Sequence, residues 1–181
     1  KGATFRSPRD GAYHTLTPET SIDIQRKLGA DLIVVLDECT PYHVNRAYTE
    51  KSLALTKRWA DRSLAEFEHG HDGSQALYGV VQGGVYEDLR RESAEFVSSR
   101  PFFGHAVGGC LGAQEDQMYD VVRYSMEPLR RDRPVHLLGI GGVRDIWAGV
   151  EMGVDTFDCV TPTRIARHGW ALSKEPPSFR M

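Results

Sequence analysis

Two aspartates are the residues of this chain whose type and setting could do chemistry. Asp158 lies between Phe157 and the pair Cys159-Val160, an apolar setting that would desolvate its carboxylate. Because burying an unpaired acid is costly, such a residue either caps the following turn or has a function. Asp158 is therefore a candidate functional residue.

The second aspartate, Asp37, follows the most apolar run of the chain directly after Leu36. Successive side chains of a strand point to opposite faces, so only one of Asp37 and Glu38 can enter a site at the strand end. Asp37 could accept hydrogen bonds from a ligand that carries two nitrogen donors. The alternative is an acid that belongs to the turn before Pro41.

Glycine-rich and amide-bearing clusters follow three other apolar runs. They are Gln82-Gly83-Gly84, Gly108-Gly109 and Gly139-Ile140-Gly141-Gly142. Glycine leaves the backbone open to a flat ligand, and the glutamine adds amide hydrogen-bonding groups, although glycine turns are also common without any function. The last cluster lacks the glycine spacing of a dinucleotide site and the Lys-Ser/Thr pair of a phosphate loop, so it does not predict nucleotide binding.

A basic cluster follows Asp158 and comprises Arg164, Arg167 and His168. Arginine suits phosphate oxygens, so the cluster indicates RNA contact, unless it is simply a solvated loop. The seven histidines are scattered, and none forms a close pair with a carboxylate at a strand end. We therefore expect no metal ligands within this chain.

The elements that must position these residues are alternating strands and helices. Dense apolar runs without a polar alternation favour strands buried on both faces, as in parallel sheets. In barrels built from alternating strands and helices, the ligand lies at the carboxyl ends of the strands. The polar and glycine clusters should therefore share that edge of the sheet. Residues 1–16 indicate a loop or short hairpin. The predicted strands are residues 31–36, 76–81, 105–107, 135–140 and 156–160, and the predicted helices are residues 18–28, 49–68, 86–98, 114–129 and 143–152.

Length, charge and cysteine usage restrict the class of protein. The chain has 181 residues, whereas a complete eight-unit barrel needs roughly 250, so five strands predict an open α/β sheet or part of a barrel. A net charge of −3 limits any nucleic-acid contact to a local cluster. Cys39, Cys110 and Cys159 show no CxxC spacing, which favours a reducing cytoplasm. No apolar run approaches the roughly 20 residues of a membrane span, and we expect no membrane partner.

Six motifs occur in a fixed order along nearly the whole chain. They are Thr4-Phe5-Arg6-Ser7, Leu36-Asp37-Glu38-Cys39-Thr40-Pro41-Tyr42, Gln82-Gly83-Gly84, Ala106-Val107-Gly108-Gly109, Leu137-Leu138-Gly139 and Phe157-Asp158-Cys159-Val160-Thr161-Pro162-Thr163-Arg164. In this order they resemble the tRNA-guanine transglycosylases, also called queuine tRNA-ribosyltransferases. The resemblance implies a (β/α)8 TIM-type barrel, of which this chain would be an incomplete portion.

The resemblance also implies an activity, the exchange of guanine at the tRNA wobble position for a 7-deazaguanine. Asp158 would attack the ribose C1′, and Arg164 and Arg167 would hold the RNA backbone. Leu138 would pack on the base. The remaining substrate-binding positions that it implies are Asp37, Cys39, Gln82, Gly108, Gly109, Cys110 and Gly139.

Two parts of the family pattern have no counterpart in this sequence. They are a serine-glycine-glycine-phenylalanine motif with a second catalytic aspartate, and a CxCxxC zinc cluster with a later histidine. Residues 1–181 are thus expected to be a single portion of the catalytic barrel, without the first strands or the zinc subdomain. Zinc and a homodimer are expected of the complete family member.

Features of the base pocket and the missing motifs leave alternatives open. Gly112 occurs where members that take the larger base queuine carry glycine, whereas Cys39 is typical of bacterial members that take the aminomethyl base. A catalytically inactive barrel that binds RNA or pairs with an active subunit is one alternative function. An unrelated βα hydrolase that uses Asp37 and Asp158 as an acid pair is another.

Overall fold

A computed structural model describes residues 1–109, 111–112, 114–173 and 179–180, the last two by their backbone. The strands are β1 (Ala3–Arg6), β2 (Tyr13–Leu16), β3 (Leu32–Val34), β4 (Ala76–Val81), β5 (Gly104–Val107), β6 (Val135–Leu137), β7 (Thr156–Phe157), β8 (Trp170–Ala171) and β9 (Phe179–Arg180). The helices are α1 (Pro18–Leu28), α2 (Arg46–His69), α3 (Glu87–Ser98), α4 (Glu115–Met126), α5 (Val143–Met152) and α6 (Thr161–Ala166). The described part of the chain is thus a mixed α/β fold, and its five predicted strands and five predicted helices are all present.

The central sheet is parallel and has the strand order β3-β4-β5-β6-β7. One apolar depression on it is lined by residues from all five strands or their carboxyl ends, including Leu32 at one edge and Thr156 at the other. A flat sheet would hold its outer strands about 19 Å apart, from four strand spacings. The shared depression therefore shows that the sheet curls into a half-barrel with a concave face.

The opposite face of the sheet packs against the helices and forms the core. Ile33, Leu77, Val107 and Leu137 alternate with the concave-face residues and are at most 2% exposed. Helices α2, α3 and α4 cover them with apolar stripes at helical spacing. The buried helix residues are chiefly Leu53, Ala60, Leu89, Ala94, Val97, Val121, Val122 and Met126.

Local sequence signals determine where the first helix begins and ends. Thr17 accepts a hydrogen bond from Thr20 N at 3.1 Å, and Pro18 occupies the first helical position. Gly29 ends the helix with φ +71°, a left-handed conformation that glycine adopts without strain. These are the start and stop residues that the sequence predicts.

The first strand of the sheet is shorter than predicted, and two backbone N–H groups beyond its end donate to hydroxyl groups of α2. Leu36 N donates to Ser63 Oγ at 3.4 Å, and Glu38 N donates to Thr56 Oγ1 at 3.0 Å. The prediction of a strand over 31–36 was wrong at this end. The chain that carries Asp37 is therefore held by a helix rather than by a neighbouring strand.

The fourth strand of the sheet, β6, also ends early, at Leu137 rather than at residue 140. Gly139 has φ +74°, which is incompatible with extended backbone. This glycine turns the chain just where the predicted site begins.

Candidate active site at the carboxyl edge of the sheet

Four predicted site residues lie side by side across the sheet, in a row that we call a tier. The strand register shows this from the row before it, in which Val80, Ala106, His136 and Thr156 are successive partners across β4 to β7. Side chains two residues apart on a strand share a face, so the positions two residues further along form the next tier of the concave face. That tier, at the carboxyl ends of the strands, consists of Gln82, Gly108, Leu138 and Asp158.

Asp37 joins this tier through a hydrogen bond to Gln82. Gln82 Nε2 donates to Asp37 Oδ2 at 2.6 Å, and the Gln82 residue is only 2% exposed. Burial raises the pKa of the Asp37 carboxyl above its ordinary value, and the hydrogen bond from Gln82 partly opposes that shift. The pair is thus a largely desolvated acceptor with a fixed orientation.

The amide oxygen of Gln82, Oε1, can still accept a hydrogen bond in the site. Within the described residues, Gln82 Oε1 is buried and has no hydrogen-bond partner. A buried acceptor without a donor is unfavourable by about 1–3 kcal/mol, so a ligand N–H at this point would be stabilising. Asp37 and Gln82 Oε1 together suit the edge of a ligand that carries several N–H donors.

Gly109 borders the Gln82 amide and cannot be replaced by a larger residue. A Cβ atom at Gly109 would lie 2.0 Å from Gln82 Oε1, and its φ is +83°. The predicted role of this glycine pair as open backbone thus has a geometric basis. The neighbouring Cys110 lies outside the described residues.

Asp158 lies at the carboxyl end of β7 with one carboxylate oxygen engaged. Its Oδ1 accepts a hydrogen bond from Gly139 N at 2.8 Å and lies 3.1 Å from His136 Nε2. The other ring nitrogen of His136 lies 2.8 Å from Thr156 Oγ1. These contacts fix the carboxylate plane through Oδ1 and leave Oδ2 as the oxygen that can approach a substrate.

Within the described chain, Asp158 is less enclosed than its apolar sequence neighbours predict. Its side chain is 53% exposed, because β7 is an outer strand of the sheet and Phe157 points to the opposite face, against α5. The apolar neighbours in sequence therefore do not surround the carboxylate. His136 was not among the predicted site residues, although its position two residues before Leu138 placed it on the same face.

Leu138 and Gly139 occupy the loop beside Asp158. Leu138 is half-buried and borders the depression, whose volume is about 180 Å³. Its Cδ1 would lie 3.0 Å from a Cβ at Gly108, so that glycine leaves space directly beside the leucine. A planar ligand packed on Leu138 would thus also lie close to the Gly108 backbone.

Other predicted positions lie around this tier. Cys39 is exposed, and Glu38 turns away from Asp37 to accept a hydrogen bond from Tyr48 Oη at 2.6 Å. The side chains of the two adjacent acids thus point in different directions. Arg164 and Arg167 are exposed in and just after α6, which the sequence did not predict.

Gly112 is a poor position for testing base selectivity by substitution. Its φ is +112°, and a Cβ atom there would lie 2.7 Å from Gln117 Oε1. Any larger residue would strain the backbone whichever base is bound.

Within the residues that the structure describes, no group of three or more His, Cys, Asp or Glu side chains could hold a metal ion. The zinc that the family resemblance implies therefore has no ligand set here, and no step of the chemistry is assigned to it. None of the described helices is long and apolar enough to cross a membrane.

The fold and this edge define a βα half-barrel with a candidate site at its strand ends. A sequence model of the family described as queuine tRNA-ribosyltransferase matches residues 1–179. The chain belongs to this family, which confirms the resemblance found from the motifs.

Individual relatives agree with the family model. The chain is 48% identical over 170 residues to a queuine tRNA-ribosyltransferase of Solidesulfovibrio magneticus, covering 93% of the chain and 45% of that protein. It is 47% identical to the enzyme of that name from Protochlamydia amoebophila, covering 98% of the chain and 46% of that protein. For the one from Caldanaerobacter subterraneus the identity is 46%, over 93% of the chain and 44% of that protein. The chain spans about half the length of the curated relatives it matches.

Proposed function

We propose that the protein to which this chain belongs exchanges guanine at the tRNA wobble position for a 7-deazaguanine base. The observation that carries the proposal is the shared tier of Asp158 and Gln82 at the carboxyl edge of the sheet. It combines a carboxylate with one accessible oxygen and a buried amide with unsatisfied capacity. The family match over residues 1–179 supports the same reaction.

Asp158 supplies the nucleophile of a double displacement. Its Oδ2 forms a bond to the ribose C1′ while the bond from C1′ to guanine N9 breaks and the bond electrons leave with the base. A general acid protonates the leaving guanine. The incoming base then attacks C1′, loses its N9 proton and displaces the Asp158 carboxylate, so the configuration at C1′ is retained.

Asp37 and Gln82 provide base recognition. The ionised Asp37 accepts hydrogen bonds from N–H groups on the edge of the base, and Gln82 Oε1 accepts another. Leu138 packs on the base face beside Gly108. Because each acceptor is held by a protein donor or by packing before the base arrives, little ordering remains for the binding step.

Further parts of the proposal concern the complete protein. Arg164 and Arg167 lie exposed within nine residues of Asp158 and would hold RNA phosphates, and the wobble base would have to leave its stack to reach the tier. The half-barrel would be a portion of a (β/α)8 barrel. A zinc site of the complete protein, with ligands that are not in this chain, a homodimer and a cytoplasmic location belong to the same proposal.

A denaturing gel of the complete protein, incubated with tRNA and a 7-deazaguanine base, tests the proposed function. We expect a slowly migrating protein–RNA band that is covalent and depends on the RNA. Its persistence after Asp158→Asn would exclude Asp158 as the nucleophile. Binding of tRNA by the wild-type protein without any covalent band or base exchange would favour an inactive RNA-binding barrel.

A further inference from the structure

Arg90 is a fully buried arginine on α3 that contacts the backbone of the candidate site from behind. Its residue exposure is 0%, and it lies in register with Ser93, Ala94 and Val97 on the buried face of the helix. A guanidinium is expensive to remove from water, so a buried one has to make several hydrogen bonds in good geometry. The partners of Arg90 therefore indicate what it is there to hold.

Three of these partners are carbonyl groups of the site loops. Arg90 Nε donates to Gly84 O at 2.6 Å, and Arg90 Nη1 donates to Val81 O at 3.2 Å and to Gly108 O at 2.8 Å. One side chain thus connects the end of β4, the loop after it and the end of β5. Arginine suits this task because its donors are fixed in one plane.

The contact with Gly108 O determines the orientation of the next peptide N–H. The peptide group between Gly108 and Gly109 is planar and trans, so its C=O and N–H point in opposite directions. Since the carbonyl points toward Arg90, behind the tier, the Gly109 N–H points toward the ligand side of the tier. Gly109 adjoins Gln82 Oε1, so this donor and that acceptor lie beside each other.

We propose that Arg90 is a positioning residue for base recognition, which fixes the Gly109 N–H as a donor to a carbonyl oxygen of the base. This inference rests on the proposed function and extends it to a residue that does not touch substrate. Ser93, one turn further along α3, assists by accepting a hydrogen bond from Gln82 N at 3.0 Å. Arg90 and Ser93 of α3 thereby order both the Gln82 and the Gly109 backbone.

The proposal predicts a loss that depends on the 6-carbonyl of the base. Guanine has this carbonyl, and 2-aminopurine has a hydrogen in its place. In the complete protein, Arg90→Lys should weaken guanine binding about 10-fold, the equivalent of one hydrogen bond of about 1.4 kcal/mol. Binding of 2-aminopurine should change less than about 2-fold, since it makes no use of the Gly109 N–H.

Calorimetric titration of each base into wild-type, Arg90→Lys and Arg91→Lys proteins measures these differences. Arg91 is the matched control, because it is the adjacent arginine but lies on the surface with Glu87 and Glu127. Its replacement should alter neither affinity. If Arg90→Lys does not accumulate in soluble form, Arg90→Gln, which removes the charge and keeps two N–H donors, takes its place.

The outcomes separate this proposal from the proposed function. Equal losses for the two bases, or unchanged guanine affinity in a protein that melts at lower temperature, would show a general structural role and overturn the assignment of Arg90. If the wild-type protein binds no guanine, the proposed function fails first and the Arg90 proposal fails with it. A selective loss for guanine would support both.

Discussion

The two sides of the candidate site differ in their exposure to water. On the β3–β4 side, Asp37 and Gln82 are largely buried, and burial raises the Asp37 pKa. On the β6–β7 side, the Asp158 side chain is half exposed and receives its hydrogen bonds at the rim of the sheet. Within the described chain, one side of the site is thus enclosed, whereas the other side lies at an edge of the sheet.

The two sides also present chemical groups suited to different tasks, recognition and reaction. A neutral base edge is distinguished by hydrogen bonds that water cannot replace, which requires desolvated and ordered partners. A nucleophile instead needs an oxygen that protein donors do not occupy, and the contacts of Asp158 involve Oδ1 rather than Oδ2. The comparison predicts that substitutions on the two sides affect different steps.

The largest effect is expected from Asp158→Asn. Removing the nucleophile should lower base exchange on the order of 10³-fold or more and eliminate the covalent RNA band. Affinity for tRNA should largely persist, because exposed arginines rather than Asp158 would provide it. Steady-state exchange of labelled guanine and a filter-binding assay measure the two quantities.

Asp120→Asn is the control for this prediction, because Asp120 forms a surface ion pair with Arg123 on α4. It should leave exchange unchanged. An Asp158→Asn protein that loses tRNA affinity as strongly as exchange would contradict the separation of reaction from binding.

The buried side should respond to Asp37→Asn with weaker base binding. Replacing the ionised acceptor removes one or more charge-assisted hydrogen bonds, which corresponds to roughly 10- to 100-fold in base affinity. Base binding should also fall on acidification as Asp37 gains its proton. Since the folded-state pKa is raised above 3.8, this loss begins at a higher pH than for an ordinary aspartate.

Removing Gln82 sharpens the test, because its hydrogen bond lowers the Asp37 pKa. In Gln82→Leu the acid limb of base binding should move to still higher pH. Asp31→Asn serves as the control, because Asp31 lies just before β3, at the opposite end of the strand that leads to Asp37. A pH profile of guanine affinity that is identical in wild-type and Gln82→Leu proteins would argue against the coupling of this pair.

Much of the sheet could be predicted from the sequence, and the reasons are local. Strand β4 was predicted with the correct bounds, 76–81, because a continuous apolar run ends at a polar and glycine cluster. The tier of strand-end residues follows from the same pattern. Asp37 and Gln82 were both identified, but their direct hydrogen bond depends on strand register, which the sequence does not specify.

The solvent exposure of the site residues, and the residues that hold them in place, were harder to predict because both depend on tertiary neighbours. The apolar residues around Asp158 in sequence point elsewhere, so the carboxylate is solvated. Arg90 and Arg91 are adjacent residues of the same type, so residue type does not tell which of them is buried. Only the helical spacing of Arg90 with Ser93, Ala94 and Val97 places it on the core face of α3. His136 could have been identified only by noting that it shares a strand face with Leu138, two residues further on.

A moderate effect on the exposed side is expected from His136→Leu. Without the imidazole, Asp158 Oδ1 retains only the Gly139 N–H, and the carboxylate gains rotational freedom. Exchange should fall about 10-fold in kcat, the value of one hydrogen bond to a charged group, with little change in base affinity. His69→Leu, at the far end of α2, is the control, and a rise in KM for the base with unchanged kcat would contradict the assignment.

The smallest effect on the reaction, and a measurable one on stability, is expected at His105. This residue on β5 faces the helices with 0% exposure, and within the described residues neither ring nitrogen has a hydrogen-bond partner. Burial, together with the nearby positive charges of Arg133 and Arg130, lowers its pKa from 6.5 to about 4. The imidazole is therefore neutral in the folded protein at neutral pH.

A depressed histidine pKa means that the unfolded chain binds the proton more readily than the folded one. The free energy of unfolding should thus fall as the pH drops from about 6.5 to about 4, by on the order of 3 kcal/mol across that window. Above pH 7 the contribution is constant.

His105→Leu has no ring to protonate and should flatten this acid limb in urea unfolding, while base exchange at neutral pH stays near wild type because the side chain lies behind the sheet. His69→Leu, at an exposed histidine, should retain the wild-type slope. If His105→Leu instead lost base affinity to the same degree as Asp37→Asn, the helix side of β5 would be part of base recognition, and the division into a buried recognising side and an exposed reacting side would have to include the core beneath it.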